Sequence, residues 1–415
     1  MVNIFGEHDA VQGLPWVDSR VLAALPDVAE VLEAGYHTES AWAKGYRLRV
    51  RQTDGNVETY FMKVSTNHHG KLALMGEFES TSTIHAITPD FCPKPIACGT
   101  FNTDANSHFY VCKFYDFVEG VPEPNSFCQK LARLHSSHPS PEGKFGFHCT
   151  TYNGDLPQDN NWCESWEVFY ANGLRHVLII REQRAGRNPE LDELLPALFG
   201  KVIPRLLRPL ESEGRTIKPS LVHGDLWCGN AGIIDSDTAE GIVFDPTAFW
   251  AHNEYDFGDW RPGRNKFTRR YFQAYHSLVP KSEPEEDYDG RAVTPYIPRG
   301  LICTLRHCSR NKNDIFTYEI RRLVEAYPEG YTVITGDASL EETRSEMGSD
   351  MGPDLTLVNS QDEDIPAQTK EHIVPDKEAL LSSIGFAEVV NWQADDEEDG
   401  EGNVPRQSFV AELLV

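Results

Sequence analysis

Apolar residues alternate with arginines over residues 46–51 of the chain. This period of two is typical of a β-strand with one face in the core and the other in water. Asp54-Gly55 then supplies a turn, and residues 57–64 are predicted to return as the second strand of a β-hairpin. Lys63 is therefore expected near the end of a strand.

The next stretch, residues 71–87, contains no proline and carries Leu72, Met75 and Phe78 at helical spacing, which predicts one helix. Two prolines then force an extended segment. An apolar run at residues 109–115 predicts a further strand. The first part of the chain is expected to form a small lobe of strands with one helix.

Beyond Pro124 the pattern becomes mainly helical, and Asn125 or Ser126 is expected to cap the first of these helices. Aromatic residues at helical spacing predict the inner face of another helix; they are Trp162, Trp166, Phe169 and Tyr170.

More helix is predicted at residues 191–210, broken at Pro196 and Pro204. Within this helical part, residues 221–249 form an island of short apolar strands separated by tight turns. The second lobe is therefore expected to be mainly α.

The length of 415 residues corresponds to two or three domains. We place a first lobe, with an N-terminal helical extension, at residues 1–118 and a second lobe at residues 119–330. Residues 331–415 carry about 20 acidic and 4 basic side chains, a large share of the net charge of −26. This acidic composition predicts a mobile or loosely docked tail.

The negative net charge repels phosphate backbones and anionic lipid, so nucleic acid and membranes are not expected partners. The nine cysteines are scattered without a Cys-x-x-Cys pair, which is typical of free intracellular thiols. The N-terminal residues lack the basic and apolar regions of a secretory signal. A soluble, cytoplasmic protein is expected.

The clearest chemical signal is the segment His223-Gly224-Asp225-Leu226-Trp227-Cys228-Gly229-Asn230, which follows an apolar strand. A later predicted strand is expected to bring Asp245 back beside this loop. Mg²⁺ prefers carboxylate and amide oxygens, and phosphoryl transfer from ATP needs Mg²⁺ to bridge the phosphates. Asn230 and Asp245 are predicted to hold the metal. Asp225 is predicted to orient the attacking hydroxyl and take its proton.

Phosphoryl transfer also needs a cation on the α- and β-phosphates, supplied in protein kinases by a strand lysine paired with a helix glutamate. Lys63 fits this pattern. Glu77 is the expected partner of Lys63, although helix phase alone leaves Glu79 open.

At these residues the chain resembles the fructosamine, or ketosamine, kinases, relatives of aminoglycoside and choline kinases. The resemblance runs from about residue 20 to Tyr331. Its most specific part is His-Gly-Asp-Leu-Trp-x-Gly-Asn at residues 223–230, with Phe-Asp-Pro at residues 244–246 and His-Asn-Glu-Tyr-Asp at residues 252–256.

The resemblance implies an α+β, protein-kinase-like fold with two lobes, a small β-rich N-lobe that clamps the nucleotide and a mainly helical C-lobe. It also implies ATP-dependent phosphorylation of the sugar 3-hydroxyl of fructosamine-type adducts, either as small ketosamines or on glycated proteins. Because the phosphorylated ketosamine is unstable and decomposes, such an enzyme would deglycate proteins. ATP and Mg²⁺ are the implied cofactors.

The segment expected to cover the phosphates, residues 34–42, has one glycine rather than a Gly-x-Gly-x-x-Gly motif. Nucleotide contact is assigned there to Thr38 and Ser40. Trp227 either lines the sugar site or wedges the catalytic loop against the second lobe.

Two other functions stay open from the sequence. One is a kinase of the aminoglycoside or choline type, which an acceptor pocket crowded with carboxylates would favour. The other is a nucleotide-binding scaffold without catalysis, which the weak phosphate-covering segment would suit. The oligomeric state is not predicted.

Overall fold

An antiparallel sheet and two helices make up the first lobe of this computed structural model, which describes residues 17–260, 265–295, 297 and 315–331. The helices are α1 (Ser19–Ala24) and α2 (Asn67–Ile87). The strands are β1 (Val28–Glu39), β2 (Lys44–Gln52), β3 (Val57–Thr66), β4 (Pro95–Thr100) and β5 (Ser107–Lys113). They form one five-stranded sheet in the order β1-β2-β3-β5-β4.

Two predictions fall outside the described residues. These are the acidic tail, beyond Tyr331, and the part of the N-terminal extension that precedes Val17.

The two faces of the sheet have different environments, as the alternating pattern predicted. Leu48 and Met62 are buried on the face that packs with Val21 of α1. Phe61 and Lys63, at the intervening positions of β3, lie on the other face, where α2 packs against β3, β4 and β5. The predicted strand at residues 46–51 is confirmed as part of β2. Lys63 therefore faces away from the α1 core.

Helix α2 begins at Asn67, four residues earlier than predicted. The side-chain Oδ1 of Asn67 accepts a hydrogen bond of 3.0 Å from the Gly70 N–H, which satisfies one of the free amides of the first turn. Asn67 itself has φ of +64°, a conformation that asparagine tolerates better than most residues. The spacing of apolar residues does not reveal this first turn of α2.

The second lobe consists of helices around one large apolar core. Its α-helices are α3 (Pro124–Ser136), α4 (Trp166–Ala185), α5 (Pro189–Ala197), α6 (Ile203–Leu207), α7 (Arg269–His276), α8 (Tyr288–Arg291) and α9 (Ile315–Ala326). Short 3₁₀-helices cover Arg208–Glu211, Cys228–Asn230, Asn253–Trp260 and Glu285–Asp287. Among the described helices, none is both long enough and apolar enough to cross a bilayer.

Three pairs of short strands complete the second lobe. They are β6 (Tyr152–Asn153), β7 (Leu156–Pro157), β8 (Ser220–Val222), β9 (Ala231–Asp235), β10 (Glu240–Val243) and β11 (Phe249–Ala251). β6 pairs with β7, β9 with β10, and β8 with β11, all antiparallel. The predicted β-island at residues 221–249 is thus confirmed as β8 to β11.

The predicted helix breaks at Pro196 and Pro204 are wrong. A π-helical turn, Leu198–Val202, joins α5 to α6, so the chain stays helical through both prolines. Proline removes one N–H and crowds the preceding turn, and a wider turn accommodates both effects. Pro204 lies where the π-helical turn passes into α6, directly after the Ile203 N–H that donates to the Leu198 carbonyl.

The predicted cap of α3 is wrong. Glu123, rather than Asn125 or Ser126, caps this helix: its carboxylate accepts a hydrogen bond of 2.8 Å from the Ser126 N–H. Pro124 occupies the first turn, which shifts the cap to the residue before it.

The predicted inner face of α4 is confirmed for Trp166, Phe169 and Tyr170, which are all buried. Trp162 precedes the helix and packs partly buried against the same core.

Helix α2 also contacts the second lobe. The Ser80 hydroxyl accepts a hydrogen bond of 3.1 Å from the Ala248 N–H. A Cβ on Gly76 would lie 2.7 Å from the Thr150 carbonyl oxygen, so only glycine allows this close approach. These contacts fix the turn of α2 that carries Glu77.

The buried imidazole of His252 is expected to make the protein sensitive to acid. Burial is the main cause that lowers the pKa of His252 from 6.5 to about 4. The unfolded chain therefore binds more protons than the folded chain between pH 6.5 and 4, and stability falls as the pH falls through this window. We expect His252 to contribute a loss of about 3 kcal/mol in the free energy of unfolding.

Urea unfolding at pH 7 and near pH 4, for wild type and His252→Gln, measures this contribution. Titratable groups away from His252 affect both proteins equally, so the difference between the two profiles reports His252 together with Glu254, whose carboxylate lies 3.9 Å from the imidazole. Parallel profiles would contradict the assignment.

Candidate active site

The loop after β8 is held by one buried carboxylate. Asp256 is 1% exposed and accepts hydrogen bonds from the backbone N–H groups of His223, at 2.8 Å, and Gly224, at 2.9 Å. Burial alone would raise the pKa of Asp256, but its hydrogen bonds with His135 and the loop outweigh burial and lower the pKa. The ionised carboxylate is thus a fixed anchor for the start of the loop.

Gly224 is required by the path of this loop. Its φ is +80°, and a Cβ there would lie 2.3 Å from the Thr247 carbonyl oxygen. The next residue, Asp225, donates its backbone N–H to His223 Nδ1 at 3.2 Å. His223 Nε2 must then carry the proton that it donates to the Phe244 carbonyl, at 3.0 Å. His223 therefore links the Asp225 loop to the segment that carries Asp245.

The Asp225 carboxylate is partly exposed and lies between two amides. Asn230 Nδ2 donates to Asp225 Oδ2 and to the Asp225 carbonyl oxygen, both at 2.9 Å. Asn153 Nδ2, on β6, lies 3.5 Å from Asp225 Oδ1. The donors on Asn230 are used within the loop, which leaves its Oδ1 as the atom suited to a cation.

Asp245 lies beside this loop because β10 returns antiparallel to β9. The Phe244 N–H donates to the Asn230 carbonyl oxygen at 3.0 Å, and this bond brings Asp245 next to Asn230. Asp245 has φ of +56°, an uncommon conformation for a residue with a side chain, and its side chain is 45% exposed. The carboxylate is thus presented to the cleft.

Lys63 reaches this carboxylate from the first lobe. Its Nζ lies 2.6 Å from Asp245 Oδ1 and 2.8 and 3.0 Å from the two carboxylate oxygens of Glu77. Burial alone would lower the pKa of the Lys63 ammonium, but Asp245 and Glu77 outweigh burial and raise it. Burial raises the pKa of Glu77 against the opposing effect of Lys63. The ammonium ion therefore stays charged.

The structure pairs Lys63 with Glu77 and directs Glu79 elsewhere. Glu79 points to the surface, where Oε2 lies 3.1 Å from His148 Nε2. Both side chains of that pair are about half exposed, at 44% and 50%.

Three further residues were predicted to contact the nucleotide or the sugar: Thr38, Ser40 and Trp227. Thr38 on β1 pairs with Gly45 on β2, which pairs with Lys63 on β3, so Thr38 is two strands away at the same level of the sheet. The Ser40 hydroxyl accepts the Ala43 N–H at 3.1 Å and closes the β1–β2 turn. The Trp227 indole packs over the Gly229 backbone, within its own loop, and is partly exposed.

The donor set suits a hard divalent cation. Asn230 and Asp245 offer amide and carboxylate oxygens, the ligands that Mg²⁺ prefers. Within the described part of the chain, no three His, Cys, Asp or Glu side chains are grouped as metal ligands. Mg²⁺ usually binds to one or two protein groups and takes its other ligands from phosphates and water, so this small set fits.

Two neighbours of the Asp225 loop have more contacts with it than the sequence analysis predicted. Asp256 entered the sequence analysis only as the last residue of the His-Asn-Glu-Tyr-Asp match, and in the structure it is the buried anchor of the loop. Asn153 was not singled out, because β6 is only two residues long and carries no periodic signal.

The fold and this site together define a two-lobed, protein-kinase-like protein with a strand lysine, a helix glutamate and an acidic loop facing one another. The chain belongs to the fructosamine kinase family, whose sequence profile matches residues 35–296.

Curated relatives agree with this family. A chloroplastic protein-ribulosamine 3-kinase of Oryza sativa subsp. japonica is 32% identical over 229 residues, which cover 54% of this chain and 62% of the relative. The ketosamine-3-kinase of Mus musculus is 38% identical over 146 residues, which cover 34% of this chain and 42% of the relative. The chain thus spans less than two thirds of the length of either relative.

Solved structures share the fold. A Thermobifida fusca crystal structure, provisionally assigned as a fructosamine-3-kinase, matches with a TM-score of 0.59 and 21% identity, covering 74% of this chain and 98% of the other. A Haemophilus somnus structure with the same provisional assignment gives a TM-score of 0.55 and 17% identity, covering 71% and 91%.

Proposed function

We propose that the protein is an ATP-dependent kinase that phosphorylates the sugar 3-hydroxyl of ketosamines, with glycated proteins among its acceptors. The family supports the substrate class. The observation that carries the proposal is the line of contacts from Glu77 through Lys63 to Asp245, with Asp225 and Asn230 beside it. Removal of the phosphorylated sugar would then repair the glycated amine.

In the proposed reaction the acceptor hydroxyl donates a hydrogen bond to the Asp225 carboxylate. As the hydroxyl oxygen forms a bond to the γ-phosphorus, the bond from that phosphorus to the β,γ-bridging oxygen breaks, and ADP leaves with that oxygen. The hydroxyl proton passes to Asp225. The amides of Asn230 and Asn153 hold Asp225 in place during this step.

The nucleotide phosphates are assigned to Lys63, which gives up its contact with Asp245 when ATP binds and keeps Glu77 as its partner. Asn230 and Asp245 would hold Mg²⁺, which neutralises charge on the β- and γ-phosphates. The Lys63–Asp245 contact of 2.6 Å shows that both lobes already reach the same point in the cleft. The nucleotide end of this cleft is assigned to Thr38 and Ser40. The sugar end is assigned to Trp227.

ADP release with fructose-lysine, ribulose-lysine, choline and kanamycin tests the proposal. We expect Mg²⁺-dependent turnover with one or both ketosamines that exceeds turnover with choline and kanamycin at least tenfold. Preference for choline or kanamycin would instead indicate the other substrate class. Absence of turnover with all four would indicate a non-catalytic nucleotide-binding protein.

A further inference from the structure

A cluster of polar groups lies beside the Asp225 loop. It consists of the side chains of Thr151, Gln158 and Asn160 and the carbonyl group of Thr247, and we call it the Thr151 cluster. Thr151, Asn160 and Thr247 are buried, and Gln158 is partly exposed. Thr151 Oγ1 accepts hydrogen bonds from Asn160 Nδ2 at 2.8 Å and from Gln158 Nε2 at 2.9 Å. The Thr151 hydroxyl therefore joins the other side chains of the cluster.

Every donor of these three side chains has an acceptor. Asn160 Nδ2 also donates to the Cys149 carbonyl at 2.9 Å, and Gln158 Nε2 also donates to the Thr247 carbonyl at 3.1 Å. Because Thr151 Oγ1 accepts twice, its own O–H is left to donate to the Thr247 carbonyl, 3.5 Å away. Removal of this hydroxyl would leave buried polar groups unpaired, which costs free energy.

The Thr247 backbone lies between the segments that carry Asp225 and Asp245. Thr247 follows Asp245 by two residues, and its N–H donates to the His223 carbonyl at 2.9 Å. Gly224 packs directly on the Thr247 carbonyl oxygen, since a Cβ on Gly224 would lie only 2.3 Å from it. A shift of this carbonyl group would therefore change the place of Asp225 relative to Asp245.

Two further parts of the site contact the Thr151 cluster. Thr151 directly precedes β6, which carries Asn153, and Asn153 Nδ2 lies 3.5 Å from Asp225 Oδ1. From the first lobe, Gly76 of α2 packs against the Thr151 backbone, since a Cβ on Gly76 would lie 3.2 Å from Thr151 Cα. The residue after Gly76 is Glu77, the partner of Lys63. The cluster thus contacts supports of the site from both lobes.

We propose that Thr151 and Gln158 are positioning residues for phosphoryl transfer, which set the separation of Asp225 and Asp245 through the Thr247 carbonyl. The inference rests on the proposed function, in which Asp225 takes the hydroxyl proton and Asp245 holds the metal. A misplacement of about 1 Å caused far from the chemistry can lower a rate about 100-fold. Loss of the cluster is therefore expected to change kcat more than substrate binding.

Thr151→Val tests the hydroxyl alone, because valine has nearly the shape of threonine. We expect kcat with fructose-lysine to fall at least tenfold, while KM for ATP and KM for fructose-lysine stay within threefold. Thr151→Ser keeps the hydroxyl and is expected to retain at least half of the wild-type kcat. Gln158→Met removes the donor that Thr151 and Thr247 share, and is expected to behave as Thr151→Val does.

Thr294→Val is the matched control for loss of a buried hydroxyl. Thr294 is 2% exposed, and its Oγ1 donates to the Arg291 carbonyl at 2.7 Å, within the second lobe. This variant is expected to lower the Tm about as much as Thr151→Val does and to keep kcat within twofold of wild type. A loss of kcat equal to that of Thr151→Val would indicate a general effect of stability and would overturn the proposal.

Hydrogen exchange of the full chain gives a measurement that needs no substrate. We expect the amides of residues 221–225 and 244–247 to exchange at least fivefold faster in Thr151→Val than in wild type, and at the wild-type rate in Thr151→Ser. Unchanged exchange in Thr151→Val would overturn the proposal. Faster exchange without a loss of kcat would also overturn it, because the cluster would then be a structural contact only.

Failure of the proposed function gives a different result. In that case wild type turns over no ketosamine, although exchange still responds to Thr151→Val. The comparison of kcat then uses ADP release with water as the acceptor, which needs the same base and the same metal ligands. A loss of this activity confined to Thr151→Val and Gln158→Met supports the Thr151 cluster, and equal activity in all variants contradicts it.

Discussion

Asp225→Asn is expected to lower kcat about 1000-fold while leaving the affinity for ATP within twofold of wild type. Asparagine keeps the size of the side chain and one acceptor oxygen, so the contact from Asn230 at 2.9 Å can persist. It cannot accept the hydroxyl proton, however, and the proposed proton transfer is lost. ADP release with fructose-lysine measures kcat, and calorimetry with ATP and Mg²⁺ measures binding.

Asp237→Asn is the matched control, since Asp237 is exposed in the turn between β9 and β10. This variant is expected to retain wild-type turnover. If Asp225→Asn phosphorylated the ketosamine at the wild-type rate, Asp225 would not be the base. If it lost ATP affinity in proportion to its turnover, the carboxylate would instead act in nucleotide binding.

Much of the fold could be predicted because its signals are local. The alternation at residues 46–51 predicted β2, and the apolar runs separated by turns at residues 221–249 predicted the short strands that the structure has as β8 to β11. The residues of the candidate site were also found by spacing, because one short loop carries Asp225 and Asn230 and the next strand leads to Asp245.

The remaining features depend on contacts between distant segments. Helix phase could not choose between Glu77 and Glu79, because the choice follows from how α2 packs on Thr150 and Ala248 in the second lobe. The β6–β7 hairpin was also not predicted, because strands of two residues carry no periodic pattern.

The difference between Glu77 and Glu79 gives the sharpest test of the nucleotide site. Glu77→Gln is expected to lower kcat/KM for ATP about 100-fold, because Lys63 then has one charged partner, Asp245, and is drawn toward the proposed metal site instead of the phosphates. Glu79→Gln is expected to stay within twofold of wild type, since an exposed pair such as Glu79 with His148 contributes little.

Both substitutions remove one carboxylate from the same helix, so a general effect of charge on α2 would change the two variants equally. A loss confined to Glu77→Gln, measured by initial rates over a range of ATP concentrations, would show that the contact with Lys63 is what matters. Equal losses would mean that Lys63 does not depend on Glu77 for its position. In that case Asp245 alone would set the place of the ammonium, and the proposed exchange of partners on ATP binding would fail.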